Sequence, residues 1–470
     1  MNGEVKMSAK ANIPEKTTDL TIAYIGGGSR GWAWNLMADL AMEPELSGTV
    51  KLYDLDMEAA LDNEVIGNRL AGREDAPGKW RYRAVESLAE ALQGADFIVI
   101  SILPGTFAEM ASDVHEPEKY GIYQPVGDTT GPGGIVRALR TVPMYVEFAE
   151  AIREHSPQAW VINYTNPMSV CTRTLYEVFP EVKAFGCCHE VFGVQYLLTE
   201  ALAEMRGITG VQRREISINV TGVNHFTWID WASYKDIDLL PVYREFASRY
   251  AEAGFERTPG AWRTSYFTSA DRVKFDLCIR YGPIAAAGDR HLAEFMPPWY
   301  LKDPETVAAW KFSLTPVSWR VEHKRELVRK AKRLAAGEEE FTLQPSGEEG
   351  VRTIKALLGR GDLVTNVNLP NLGQIEGMPR GCVVETNALL GRDRISPVAA
   401  GRLPHSIQSL LLRHAIQQED ILRAALARDR EKAFRAFLND PLVAIGVGEA
   451  RELFDRMLYN TRAYLPGWEI

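Results

Sequence analysis

An α/β protein is what this sequence predicts: a doubly wound, mostly parallel sheet first, then a mixed α/β domain. Three observations carry that prediction. The apolar run Leu20-Thr21-Ile22-Ala23-Tyr24-Ile25 leads straight into glycines and then into a stretch of helical period. Short apolar strands alternate with helical segments as far as about residue 210, the pattern of parallel strands with helices on both faces. Beyond that point Ile, Val, Thr, Phe and Trp nearly alternate with polar residues, and long helical stretches follow.

Each element follows from its own pattern. Residues 1–18 are polar and Lys-containing and read as a tail. Strand 20–25 is followed by a helix at 32–42 and by strands at 49–54 and 96–101, the latter apolar enough to be buried on both faces. Residues 160–163 and 183–186 supply two more strands. Residues 215–231 read as strand and turn, 335–341 as an exposed charged loop, and 404–427 and 431–438 as helices. The chain therefore divides into a tail (1–18), a nucleotide-binding sheet (19–210) and a mixed α/β domain (211–470).

Composition narrows the function. A chain of 470 residues with 46% hydrophobic and 24% charged residues has an ordinary globular balance and is too long for one core. A net charge of −9 argues against nucleic acid or an anionic membrane as partner. No apolar run approaches a membrane span, and the polar start does not resemble a secretion signal. Five cysteines make no disulfide framework, which fits a reducing cytoplasm.

Gly26-Gly27-Gly28-Ser29-Arg30-Gly31 lies between strand and helix, and Gly26, Gly28 and Gly31 match the dinucleotide fingerprint. Small residues let the backbone approach a pyrophosphate at the helix N-terminus. Asp54, at the end of the second strand, suits a ribose 2′-hydroxyl and repels a 2′-phosphate, favouring NAD over NADP; Asp56 competes for that role. The first half is thus Rossmann-type. A second cluster follows the strand at 183–186, in Cys187-Cys188-His189-Glu190, and His225 lies in Thr221-Gly222-Val223-Asn224-His225. A thiolate and an imidazole are good metal ligands, and by themselves favour zinc. A buried structural cysteine and a capping histidine would account for them as well.

Together these stretches resemble a known family. Joined to Gly127-Asp128-Thr129-Thr130-Gly131-Pro132-Gly133-Gly134, to Arg137 and Arg140, and to Asn163-Tyr164-Thr165-Asn166-Pro167, they are similar to glycoside hydrolase family 4. Its lactate/malate dehydrogenase-like fold and NAD- and metal-dependent chemistry then become the expectation, outside the two-carboxylate mechanism of most glycosidases. In that chemistry NAD+ takes a hydride from sugar C3, a base removes the C2 proton, and the C1 oxygen leaves by elimination. Water then adds, and the hydride returns. A divalent cation, Mn2+ in the usual case, steadies the charge.

The resemblance implies Cys188 and His225 as metal ligands, His189 as general acid and Asn166 as a partner of the sugar hydroxyls. It implies Asp128, where relatives often carry Glu, as an acidic helper of the base or the metal shell. The base is expected at Asp289, with Tyr281 as alternative, although Asp289 also reads as a helix cap; His291 reads as a supporting residue or a first-turn helix residue. The Cys188-His189-Glu190-Val191 form is similar to branches acting on unphosphorylated α-linked sugars, and the acidic stretch 110–116 makes a poor phosphate site. Residues 287–295 resemble the α-galacturonidases, with Arg290 for the uronate. An α-glucosidase or α-glucuronidase of the same family is the first alternative. An NAD-dependent dehydrogenase of the lactate/malate type is the second, and a non-catalytic sugar or nucleotide sensor the third. The resemblance also implies a homodimer or homotetramer acting on a small oligosaccharide or glycoside.

Overall fold

The structure is a computed structural model describing residues 17–470. Residues 1–16 of the expected tail lie outside the described residues. Thr17 is already buried, its carbonyl accepting a hydrogen bond from Ser47 N at 3.2 Å.

Six strands of the first half lie parallel: β1 (Leu20–Ile25), β2 (Ser47–Tyr53), β3 (Lys79–Ala84), β4 (Phe97–Ile100), β5 (Trp160–Asn163) and β6 (Lys183–Gly186). Their spatial order is β3-β2-β1-β4-β5-β6. This is the doubly wound arrangement, whose ligand crevice opens at the carboxyl ends of the strands where the order reverses. β4 is buried along its whole length, as its unbroken Phe-Ile-Val-Ile run requires. β3 is an edge strand that the sequence reading passed over. Its Lys79, Arg81 and Arg83 face solvent while Trp80 and Tyr82 are buried, and so many charges mask a period of two.

The second half adds β7 (Ser217–Val223), β8 (Phe226–Tyr234), β9 (Ile237–Asp238), β10 (Ile284–Ala285), β11 (Leu363–Pro370), β12 (Val383–Gly391) and β13 (Arg394–Pro397). These run antiparallel and extend the same sheet, because β11 pairs with β6 at Asn368 and Gly186. Among the described residues the result is one 13-stranded sheet.

The divide near residue 210 therefore parts the chain but not the core. Ala331, Leu334, Val351 and Ile354, from helices Val317–Ala336 and Gly350–Leu357, share a core with Leu20, Ile22 and Trp34. In the opposite sense, Ile135, Val136 and Leu139 of helix Gly131–His155 pack with Leu411, Ala415 and Leu453 of the C-terminal helices. Gly337 to Phe341 form a loop, but the preceding Ala335 and Ala336 still belong to the long helix.

Helix Gly131–His155 is fixed near its start by Arg140, which is fully buried. Its guanidinium donates to both oxygens of Asp113 at 2.9 and 2.5 Å and to Pro104 O at 2.9 Å. This fork ties the loop after β4 to two helices. Removing one partner of a buried pair strands the other charge, although burial already pushes the Asp113 carboxyl up towards neutrality. Arg140→Met is therefore expected to cost about 3 kcal/mol, the lower end of that range, measured as a shift of the denaturant midpoint.

Candidate active site

The loops at the carboxyl ends of β1, β4, β5 and β6 converge with the β7–β8 turn and with residues 124–131. In the loop after β1, Gly26 adopts φ +92°, and a Cβ there would lie 2.0 Å from Ser101 O. A Cβ on Gly28 would meet Ala59 Cβ at 2.7 Å and Asp54 Oδ2 at 2.9 Å. The glycines thus let the loop pass between neighbouring strands and approach a ligand closely. Gly31 behaves otherwise: nothing lies within 4 Å of the space its Cβ would take. The close packing expected of a third fingerprint glycine is found at Gly27 instead, where a Cβ would reach Leu52 Cα at 2.7 Å.

Asp54 and Asp56 separate by geometry. Asp56 caps helix Met57–Ala71, accepting from Ala59 N at 3.1 Å. Asp54 turns towards the loop, its Oδ2 accepting from Gly28 N at 2.9 Å. Arg30 approaches Asp62 at 4.0 Å. A buttress the sequence did not disclose is Asn63, fully buried, whose amide donates to Gly27 O at 2.8 Å and Ser29 O at 2.9 Å. An asparagine in mid-helix gives no outward sign of that work. Ser29 completes the turn, its N–H donating to Gly26 O at 3.0 Å. The helix that follows, Trp32–Ala41, carries no acidic residue in its first turn, leaving its N-terminal N–H groups and dipole open to an anion.

The second cluster centres on His225. Val223 pairs with Phe226, so Asn224 and His225 form a two-residue hairpin turn in which His225 takes φ +64°. A left-handed histidine is uncommon, and here it aims the ring at the crevice. Its Nδ1 lies 2.9 Å from Thr129 Oγ1, and that hydroxyl donates to Asp128 Oδ1 at 2.7 Å. With its one proton committed, the Thr129 oxygen accepts from His225, so Nδ1 carries the ring proton and Nε2 keeps a free lone pair. The His291 ring lies beside it, tilted by 31°, with centroids 3.8 Å apart. One ligand atom each from Asp128, His225 and His291 falls within 4.8 Å of the others, a grouping able to hold a divalent cation.

Electrostatics follow from this crowding. Burial drives the His225 imidazole down to about 3, with His291 adding to the effect. Burial alone would raise the Asp128 carboxyl, but His291, His225 and Arg137 outweigh it and hold it well below the usual range. Glu190, which burial would also raise, is held at about 2 by His291, His225 and His189. Asn166 donates to Asp128 Oδ2 at 3.1 Å, and its own Oδ1 is buried without a partner. The backbone of residues 126–127 is positioned by Glu294, whose carboxylate accepts from Val126 N at 2.7 Å and Gly127 N at 3.0 Å.

Not every residue expected at the site stands with this cluster. Asp289 is fully buried at the start of helix Asp289–Phe295, one oxygen bound by Lys274 N and Nζ at 3.2 and 3.1 Å, the other by Val273 N. Its carboxylate anchors that helix to the one before it, so the expected base role does not match its surroundings. Tyr281 packs edge-on against Trp228, with centroids 5.8 Å apart, beside a hydrophobic core. His291, by contrast, belongs to the centre of the cluster.

Cys188 is buried among Asn224, Glu190 and Glu385, the groups flanking His225 and His291. Burial, Glu385 and Glu190 push its thiol well up, so it is a thiol unless a cation ionises it. Cys187 faces Tyr164 and Glu348 instead, as alternation predicts. All five cysteines are buried and free. His189 sits half-exposed, its Nδ1 3.3 Å from Glu348 and its ring 5.7 Å from Trp32. A cavity of about 600 Å³ opens there, lined by His189, Glu190, Trp262, Phe267 and Gly288 among others.

Thr129, Glu190 and Glu294 were not singled out from sequence. The first two adjoin motif residues and carried a signal in that adjacency; Glu294 follows His291 at helical spacing. Thr129→Val removes the hydroxyl that fixes the His225 tautomer while keeping the shape. It is expected to weaken Mn2+ binding about 10–100-fold, read by metal titration, with little change in melting temperature.

Comparison with known proteins agrees with this architecture. Residues 21–204 match the family 4 glycosyl hydrolase profile, and residues 220–443 match the family 4 glycosyl hydrolase C-terminal domain. The chain is 64% identical to an α-galacturonidase of Thermoanaerobacterium saccharolyticum over 457 residues, covering 97% of this chain and 98% of that one. It superposes on the crystal structure of a putative glucosidase from Bacillus subtilis with a TM-score of 0.90 at 55% identity, covering 94% of this chain and 100% of that one. A 6-phospho-α-glucosidase from gut microorganisms, solved with NAD and Mn2+, shares the fold at a TM-score of 0.80 and 21% identity, over 96% of this chain and 100% of that one. With two matching halves and a relative this similar over nearly its whole length, the chain belongs to glycoside hydrolase family 4.

Proposed function

We propose that the protein is an NAD- and divalent-metal-dependent α-galacturonidase, with Mn2+ as the working cation, acting on small α-linked galacturonides. The observation that carries the substrate is the likeness to an α-galacturonidase across almost the entire chain. An α-glucosidase or α-glucuronidase differs only in the sugar. The cluster around His225 supports a metal-dependent reaction, for which a lactate/malate-type dehydrogenase has no use.

The residues fit both groups. The loop 26–31 and the following helix N-terminus suit a pyrophosphate, and Asp54 suits an adenosine ribose. His225 Nε2 suits the cation, beside either Asp128 and His291 or Cys188. When bound, NAD supplies a reversible hydride acceptor and the cation a Lewis acid for vicinal sugar oxygens.

The chain's own groups then have defined tasks. Asn166 Oδ1, buried without a partner, accepts from a sugar hydroxyl. His189, held through Nδ1 by Glu348 on the cavity rim, offers Nε2 to protonate the leaving oxygen. Among the described residues no helix is long and apolar enough to cross a membrane, and we place the enzyme in the cytoplasm as a homodimer or homotetramer.

The test is hydrolysis of a p-nitrophenyl α-glycoside panel, including the α-galacturonide, with NAD+, Mn2+ and thiol reductant omitted in turn. Cleavage that requires NAD+ and Mn2+, with no net NADH at 340 nm, is the expected result. NADH accumulating without cleavage would overturn it.

A further inference from the structure

Two arginines share one aromatic ring close to the Asp128 cluster. Arg290 is 8% exposed; its Nη2 donates to Pro125 O at 2.6 Å and to Thr315 Oγ1, while its Nε is buried without a partner. Arg320, half-buried, projects from the first turns of helix Val317–Ala336, which has no acidic residue in its own first turn. Both guanidinium groups lie against Phe267, at 5.2 Å for Arg290 and 5.8 Å for Arg320. Phe267 is 60% exposed and forms part of the cavity wall shared with His189 and Glu190.

Neither arginine forms an ion pair within 4.0 Å among the described residues. The nearby acids are otherwise engaged: Asp128 by Thr129 and Asn166, Glu294 by the backbone of residues 126–127, and Glu190 by Gly288 N. A buried and a half-buried like charge sharing one aromatic face are costly in the free protein, and an anion relieves that cost. Arginine's planar fork suits a carboxylate in particular.

We propose that Arg320 and Arg290 form the carboxylate-recognition element of the sugar subsite, taking the C6 carboxylate of a hexuronate against Phe267. This rests on the galacturonide function proposed above and adds Arg320 as a residue that determines specificity. A neutral hexose leaves both cations without a partner and is rejected for that reason.

The test compares wild type with Arg320→Met and Arg320→Lys, as holoenzyme with NAD+ and Mn2+, on p-nitrophenyl α-galacturonide and α-galactoside. Arg320→Met is expected to lower the galacturonide-to-galactoside ratio of kcat/KM about 100-fold, chiefly through galacturonide KM. Arg320→Lys should restore part of that ratio, and Mn2+ affinity and melting temperature should stay near wild type. A merely structural role would lower both substrates together. Unchanged galacturonide KM in a folded Arg320→Met variant would overturn the inference alone. Wild type that cleaves only the neutral galactoside would overturn the proposed function, and this inference with it.

Discussion

His225→Asn is expected to reduce kcat/KM about 1,000-fold or more, and added Mn2+ should not restore it. Asparagine tolerates the left-handed backbone that His225 occupies at φ +64°, so the hairpin turn should survive. What disappears is the Nε2 lone pair, in either ligand arrangement the cluster permits. A Lewis acid on sugar oxygens contributes several kcal/mol of charge stabilisation, and each 1.36 kcal/mol corresponds to a factor of ten. Steady-state kinetics with Mn2+ titration, and circular dichroism to verify folding, make the measurement. Cys188→Ser and Asp128→Asn then separate the two ligand sets, since only a true ligand should weaken Mn2+ binding strongly. Retained Mn2+ affinity in His225→Asn would remove His225 from the metal site.

Gly26→Ala is expected to be more damaging than any other single methyl added to the nucleotide loop. The new carbon would stand 2.0 Å from Ser101 O, on a residue already at φ +92°. Ser101 cannot retreat easily, because its N–H is bonded to Ile25 O at 3.0 Å and β4 is registered against β1. Relief means parting the two strands that form the crevice, at about 5 kcal/mol or more, the range of exceptional mutations. Loss of NAD+ binding by fluorescence titration and a large fall in melting temperature should appear together. Gly31→Ala is the matched control: its Cβ meets nothing within 4 Å, so both quantities should stay near wild type.

The sheet of the first half was legible because buried parallel strands announce themselves as short apolar runs between turn residues. β1, β5 and β6 fall where the sequence placed them, and helix Trp32–Ala41 differs from expectation by one residue. β3 escaped because an edge strand needs only one apolar face. The sharing of one sheet by both halves was not legible, since β11 reaches β6 from 177 residues or more away along the chain. At the site, residues within motifs were readable and residues defined by packing were not. Asp289 illustrates the difference: the family resemblance implied a base there, whereas only the fold shows Lys274 beside it. Arg320 carried no signal either, because a cation in an amphipathic helix is ordinarily solvated.

Because hydrogen bonding passes unbroken from β3 to β10, the strand ending near Asp54 and the hairpin bearing His225 belong to one elastic plate. Its two parts also share cores, since helices from each half pack against the other. In the proposed reaction the loop that would hold NAD and the hairpin that would hold the cation therefore sit on one frame. A reaction that borrows a hydride and gives it back is well served by a frame that keeps its gauge through the whole cycle.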